Sequence, residues 1–301
     1  VVVLRSIPEL SGVPGPVHLA IGVFDGVHVG HQAVIRTALG QPGGSSVVVT
    51  FDPHPARVLR PERAPLMLTS IRHKLLVFER IGVEYALVLP FDEAFARTEA
   101  EDFAGHLGRA CQPLGSITVG DDWAFGHRAR GTVALLRSLG LTVHAVSPVH
   151  VDGVAARSTG VREAVAVGDF GRAARLLGRP PTVLGTVVAG QQLGRRLGFP
   201  TANLALENEQ LPPNGVYSVR ARLGSDMVLG VANLGVRPSV EHGEPTRRLE
   251  VHLLDFSREI YGREMEVEWV ECLRPEQAFS SLEALTSQIT RDVALARQRL
   301  G

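Results

Sequence analysis

Apolar and polar positions along the first half of the chain switch repeatedly between two patterns. Short continuous apolar runs at residues 20–23, 46–51, 85–91, 116–120 and 142–147 predict strands, and segments of helical spacing lie between them. Residues 70–81 and 132–139 are two such helices, and a third runs from a capping box at Thr98 and Glu101 towards Cys111. Apolar runs separated by helices predict a parallel sheet covered on both faces. Ligands of such sheets collect at the carboxyl ends of the strands. The turns at residues 24–31, 52–55 and 121–126 each follow a strand directly, so they are expected along one rim.

From about Val183 the pattern becomes a series of short alternating runs, at residues 183–189, 215–223, 227–234, 248–256 and 264–271, with no helices between them. Gly224, Ser225 and Asp226 form a hairpin signal between two of these runs. Closely spaced strands of this kind predict a small antiparallel barrel. A last helix opens with a second capping box at Ser280 and Glu283. It carries Leu282, Leu285, Ile289 and Val293 on one face, a stripe expected to pack on the barrel. The GRPP run at residues 178–181 breaks a short helix and sets the domain boundary near Arg179–Pro181, giving domains 1–180 and 181–301.

Composition narrows the functional classes. A chain of 301 residues with 45% hydrophobic and 21% charged residues is an ordinary globular protein, long enough for two cores. Its formal net charge is zero, which argues against nucleic acid and against an acidic membrane surface as partners. Lys74 is the only lysine, so contacts to phosphate are expected from arginine, histidine, hydroxyls or backbone. Cys111 and Cys272 are too few for a disulfide framework or a zinc site. The opening VVVLRSIPEL has no long apolar core with a cleavage site, and no apolar run reaches the roughly 20 residues of a membrane span. A cytoplasmic location is the expectation.

Two stretches carry candidate chemistry. AIGVFDGVHVGH, residues 20–31, reads as a strand ending at Val23, a turn through Phe24, Asp25 and Gly26, and the first turn of a helix bearing His28 and His31. Such a turn offers unpaired N–H groups and the positive end of a helix dipole, while Gly26 admits a close ligand; both suit phosphate. Imidazoles three residues apart share one helical face and can donate to one anion. A structural turn with two surface histidines is the competing interpretation. The second stretch, LGFPTANL at residues 197–204, offers the Thr201 hydroxyl and the Asn203 amide, preceded by Gly190 and Gly194, for phosphates and a hard, oxygen-seeking cation.

Six motifs in order, GVFDGVHVGH, TFDPHP, GDDWAFG, LGFPTANL, VANLG and LEVHLLDF, resemble those of the bacterial bifunctional riboflavin kinase/FAD synthetase family. The resemblance runs from about Leu19 to the final helix. It implies an α/β plus β architecture: a Rossmann-like parallel-sheet nucleotidyltransferase domain, then a small antiparallel β-barrel kinase domain with a carboxyl-terminal helix. It implies riboflavin, FMN, FAD and ATP as ligands, ATP as co-substrate and Mg²⁺ as cofactor. In the kinase half Glu250 would be the general base, Thr201 and Asn203 would organise the metal and phosphates, Gly190 and Gly198 would lie against the nucleotide, and Asn233 would bind flavin. In the synthetase half His28 and His31 would stabilise the triphosphate, helped by Phe24, Gly26, Asp122, Ser158, Thr159 and Arg162, with Asp52 and His54 at the flavin.

The chain departs from the family pattern at several positions. Val23 stands where many members have Asn, Arg157 replaces the first serine of a double serine, Trp123 replaces Phe, and Ser239 replaces Thr in an NPT-like motif. Asp122 lies where some relatives have Asn, and a carboxylate beside ATP is unfavourable unless it meets magnesium or a ribose. These departures leave open a riboflavin kinase whose amino-terminal domain is inactive or re-purposed; a non-catalytic flavin sensor is a second alternative, against which the retained Thr201, Asn203 and Glu250 speak. A nucleic-acid role suggested by the HxGH element lacks a KMSKS signature and any basic surplus.

Overall fold

The computed structural model describes residues 1–190, 193–237 and 246–301; Ser239 lies outside the described residues. Packing divides the chain into two compact units, residues 1–66 with 71–158, and residues 67–70 with 159–301.

The first unit contains strands β1 (Val2–Leu4), β2 (Val17–Ile21), β3 (Ser45–Asp52), β4 (Tyr85–Pro90), β5 (Leu114–Gly120) and β6 (Val143–Val146). They form one sheet in the order β1-β4-β3-β2-β5-β6, and every neighbouring pair is parallel. Alternate residues of β2, β3 and β4 feed two cores. Leu19, Ile21, Val49 and Leu87 pack on one side with Phe103 and Leu107, while Ala20, Val48 and Ala86 pack on the other with Ile35 and Phe78. The covering helices are α1 (Val29–Leu39), α2 (Pro55–Leu59), α3 (Ile71–Arg80), α4 (Glu93–Ala96), α5 (Ala100–Ala110) and α6 (Val133–Ser138). A two-stranded ribbon, β7 (His150–Val151) and β8 (Val154–Ala155), follows β6.

The chain leaves β2 for β3 and β4 on one side, then returns to place β5 on the other. Strand order therefore reverses between β2 and β5, where open α/β sheets leave a crevice at their carboxyl ends. Sequence reading missed β1, which has three residues and one partner strand.

The second unit opens with α7 (Ser158–Ala166), whose first residue belongs to the preceding unit, and α8 (Phe170–Leu177). Strands β9 (Thr182–Val188), β10 (Ala202–Leu206), β11 (Gly215–Leu223), β12 (Asp226–Arg237), β13 (Thr246–Leu253) and β14 (Glu264–Pro275) form a closed barrel in the order β10-β13-β12-β11-β14-β9. All its pairs are antiparallel. Closure leaves no strand edge, and the barrel is filled by alternate residues such as Val219, Ala232, Leu249, Val251 and Val267. The hairpin at Gly224–Ser225 is a two-residue turn between the paired Leu223 and Asp226, with Gly224 at φ +65°. A short α9 (Leu193–Arg196) precedes β10, and α10 (Leu282–Leu300) closes the chain.

Several boundaries differ from the sequence expectation. β2 stops at Ile21, because the chain turns to positive φ at Phe24. The cap of α5 is Glu99 without a side-chain bond, and Thr98 instead accepts the His127 N–H on its carbonyl. The cap of α10 is Ser281, one residue later than expected, whose side chain accepts from the Ala284 N–H. Of the stripe on α10, Val293 packs against the barrel together with Ala296 and Leu300, whereas Leu282 is exposed. β10 is not among the strands the pattern predicts, since five residues carry little periodicity.

Candidate active sites

The rim of the parallel sheet is built around the turn after β2. Phe24, Gly26 and Val27 have φ of +54°, +78° and +44°, a left-handed path that is costly for the two bulky residues. Packing holds it in place. Phe24 and Val27 are buried, and the Phe24 ring meets His31 edge-on at 5.3 Å and Phe78 at 6.0 Å. The Gln32 side-chain amide donates to the Val27 carbonyl at 3.0 Å. His28 is the N-cap of α1 rather than a residue of its first turn: its Nδ1 accepts the His31 N–H at 3.3 Å, and the two rings stack at 3.6 Å. The pair therefore stacks at a helix N-terminus, His28 buried and His31 half-buried, where the helix dipole favours an anion.

Three neighbouring segments support this turn. The Ser158 hydroxyl donates to the Asp25 carbonyl at 2.9 Å, and the Ala156 carbonyl lies 3.5 Å from where a Cβ would stand on Gly30. On the β3 side, Lys74 Nζ and the Thr50 hydroxyl both donate to the Val23 carbonyl, at 2.7 and 2.9 Å. Burial pushes the Lys74 ammonium down to about 8, against the opposing pull of Asp25 and Asp52. On the β5 side, the exposed Arg157 reaches the Asp122 carboxylate at 3.2 Å. Two departures from the family pattern thus pair with each other, and Arg157 supplies a counter-charge that the sequence left open. Asp52 ends β3 as an exposed residue, and His54 caps α2, its Nδ1 accepting the Ala56 N–H at 3.1 Å. Thr159 and Arg162 follow Ser158 along α7 and are counted with the second unit; Thr159 is exposed and Arg162 half-buried.

In the barrel the register assembles the site. Asn203 on β10 pairs with Glu250 on β13, which pairs with Asn233 on β12; Asn233 pairs with Val216 on β11, and Val216 with Arg274 on β14. The flanking residues Ala202, Leu204, Leu249, Val251, Ala232 and Leu234 all point into the barrel core. The row Asn203–Glu250–Asn233 consequently lies on the outer wall, side by side, because residues opposite one another in a ladder share a face.

A cavity of about 250 Å³ lies along this wall, lined by Glu250, Asn233, Thr201, Arg274 and, from α10, Leu285 and Ile289. The helix is pinned there by Asp292, which is buried, accepts from Arg274 Nη2 at 2.8 Å and from Nε at 3.0 Å, and takes a third bond from Gln288 at 2.8 Å. Opposite, His252 bonds the Pro200 carbonyl at 2.8 Å and packs edge-on to Phe199, fixing the PTAN segment to β13. A second cavity, of about 740 Å³, opens beside β9 and β13 and is lined by Val187, Arg195, Phe256, Arg258 and Tyr261. Thr201 lines both cavities. A Cβ on Gly190 would fall on the Asn203 side chain, and one on Gly194 would fall on the Phe199 carbonyl, so both glycines are needed for close approach. Gly198 turns the chain at φ +86°. Sequence reasoning missed His252, Arg274 and Asp292. The last two are 18 residues apart with no spacing signal, and only the register shows them together.

A switch-point rim carrying a helix N-terminus and a barrel with a carboxylate on a cavity are the two candidate sites, and the matches below make the chain a transferase. Residues 12–160 match the family model described as FAD synthetase, and residues 177–300 match the one described as riboflavin kinase. The bifunctional riboflavin kinase/FMN adenylyltransferase of Pseudomonas fluorescens is 41% identical over 92% of this chain and 91% of its own length. That of Escherichia coli strain K12 is 38% identical over 99% of this chain and 97% of its own. A crystal structure described as a macrolide-efflux protein from Streptococcus pneumoniae superposes with a TM-score of 0.84 at 29% identity, covering 99% of both chains. Among the described residues no helix is long and apolar enough to cross a membrane. The chain belongs to the bifunctional riboflavin kinase/FMN adenylyltransferase family.

Proposed function

We propose that this protein makes FMN from riboflavin and ATP at the barrel, and FAD from FMN and ATP at the rim of the parallel sheet. The observation that carries the kinase half is Thr201, shared by two cavities and standing beside the aligned Asn203, Glu250 and Asn233. Riboflavin occupies the cavity of the outer wall, with Asn233 at the flavin, and ATP the larger one. Glu250 takes the proton of the ribityl 5′-hydroxyl as its oxygen attacks the γ-phosphorus and ADP leaves. Thr201 and Asn203 offer oxygen ligands, and only a glycine at position 190 can pack this closely on the Asn203 side chain. This donor set fits Mg²⁺, which is commonly held by one or two protein ligands together with substrate phosphates and would neutralise the charge developing on them.

In the adenylyl transfer an FMN phosphate oxygen attacks the α-phosphorus of ATP and pyrophosphate leaves. His28, His31 and the N–H groups at the start of α1 stabilise the charge of the triphosphate, with Phe24 and Gly26 shaping the backbone that receives it. Ser158, Thr159 and Arg162 complete the phosphate contacts, Arg162 through its planar fork. Asp52 and His54 face the flavin, and the Asp122–Arg157 pair borders the nucleotide. The functional division is set at residues 180/181, although residues from Thr159 onward group with the second unit. All ligands are small molecules of the cytoplasm.

The test is a chromatographic separation of flavins after incubating the purified chain with riboflavin, ATP and Mg²⁺. FMN that accumulates and then converts to FAD is the expected result. FMN without FAD would overturn the adenylyltransferase half, and unchanged riboflavin the kinase half.

A further inference from the structure

Lys74, the only lysine in the chain, is 5% exposed on α3. A buried ammonium is unfavourable unless its surroundings hold it, and core packing alone would be served as well by an apolar side chain. Its partners are specific. Nζ donates to the Val23 carbonyl at 2.7 Å and to the Thr50 hydroxyl at 3.3 Å, and that hydroxyl donates to the same carbonyl at 2.9 Å. The carbonyl so held immediately precedes Phe24, where the chain enters its left-handed path towards the helix N-terminus. Two carboxylates act on the ammonium, Asp25 within the turn and Asp52 at the end of β3, and Asp25 is itself 2% exposed.

We propose that Lys74 is a positioning residue of adenylyl transfer, which locks the phosphate turn from beneath and offsets the charge of Asp25 so that the N-terminus of α1 receives a triphosphate. The inference rests on the adenylyltransferase reading given above. Without the ammonium the Asp25 carboxylate under the turn would repel the polyanion more strongly, and the Val23 carbonyl would keep only the neutral Thr50 hydroxyl as donor. Lys74 touches no reacting atom in this account; it acts through the turn. Burial lowers the proton affinity of the amine, and a triphosphate bound at the turn would raise it.

A single lysine makes a direct test possible. Protein grown with [ε-¹³C]lysine gives one lysine side-chain resonance, and titrating it with α,β-methylene-ATP and Mg²⁺ should shift that resonance saturably and move its titration midpoint upward. In parallel, Lys74→Met should raise KM for ATP in FAD formation at least tenfold, with a smaller change in kcat, while FMN formation from riboflavin stays within twofold. A resonance that does not respond to the nucleotide, or a Lys74→Met protein with wild-type KM for ATP, would overturn the inference alone. A wild-type protein that converts no FMN to FAD would overturn it together with the reading on which it rests.

Discussion

The two units build their sites from different materials. At the rim of the parallel sheet the proposed receptor is backbone: a left-handed turn, a helix N-terminus, and a carbonyl held by Lys74 and Thr50. In the barrel the proposed receptor is a row of side chains from separate strands, set side by side by the ladder register. A backbone site depends on holding one conformation, whereas a register site depends on closure of the barrel and on α10 against its wall. Damage should therefore spread differently: within the rim through the turn, within the barrel through the helix that covers the cavity.

The largest effects should separate the units cleanly. Glu250→Gln should lower FMN formation by about 10²–10⁴-fold, the scale of a lost general base, while FAD formation from supplied FMN stays at its original rate. His28→Ala with His31→Ala should lower FAD formation by about 10²–10³-fold and leave FMN formation unchanged. Steady-state rates of the two half-reactions, followed by flavin chromatography, check both. A folded variant that lost both activities would break the comparison.

Next in size is the pin under α10. Asp292→Ala leaves Arg274 without the partner of a largely buried pair, at a cost of about 3–5 kcal/mol to the barrel. Denaturant unfolding of the barrel should move by that amount. Since Leu285 and Ile289 line the cavity on the same helix, KM for riboflavin should rise as well, with KM for FMN in adenylyl transfer unmoved.

The same contrast explains what the sequence made legible. GVFDGVHVGH could be read as a phosphate turn because every part of it is contiguous; hydrophobic pattern, glycine and histidine spacing point the same way. Its supports could not, since Lys74 and Thr50 lie 51 and 27 residues from Val23 in the chain. In the barrel, Thr201, Asn203 and Glu250 were named through motifs, but their alignment needed β10, a strand too short for periodicity to mark. Arg274 and Asp292 carry no local signal at all, because an ion pair across 18 residues follows from where α10 lands. Asp122 and Arg157 are the instructive middle case: each is visible as a departure, and only the fold shows that one answers the other.

The smallest effect concerns that pair. Both side chains are well exposed, so Arg157→Ser should change the stability of the amino-terminal unit by no more than about 1 kcal/mol. KM for ATP in adenylyl transfer should rise modestly at low ionic strength and converge with the wild type as salt is added. An effect that persisted at high salt would assign Arg157 a direct contact with the nucleotide.

Two independent sites in one chain make a claim that can be tested by mixing. Neither Glu250→Gln nor the His28→Ala/His31→Ala variant should convert riboflavin to FAD by itself. Combined in one tube with riboflavin, ATP and Mg²⁺, the second should supply FMN and the first should adenylylate it, so that FAD accumulates at a rate set by their concentrations. A mixture that forms no FAD, although each variant retains its own half-reaction, would contradict the account.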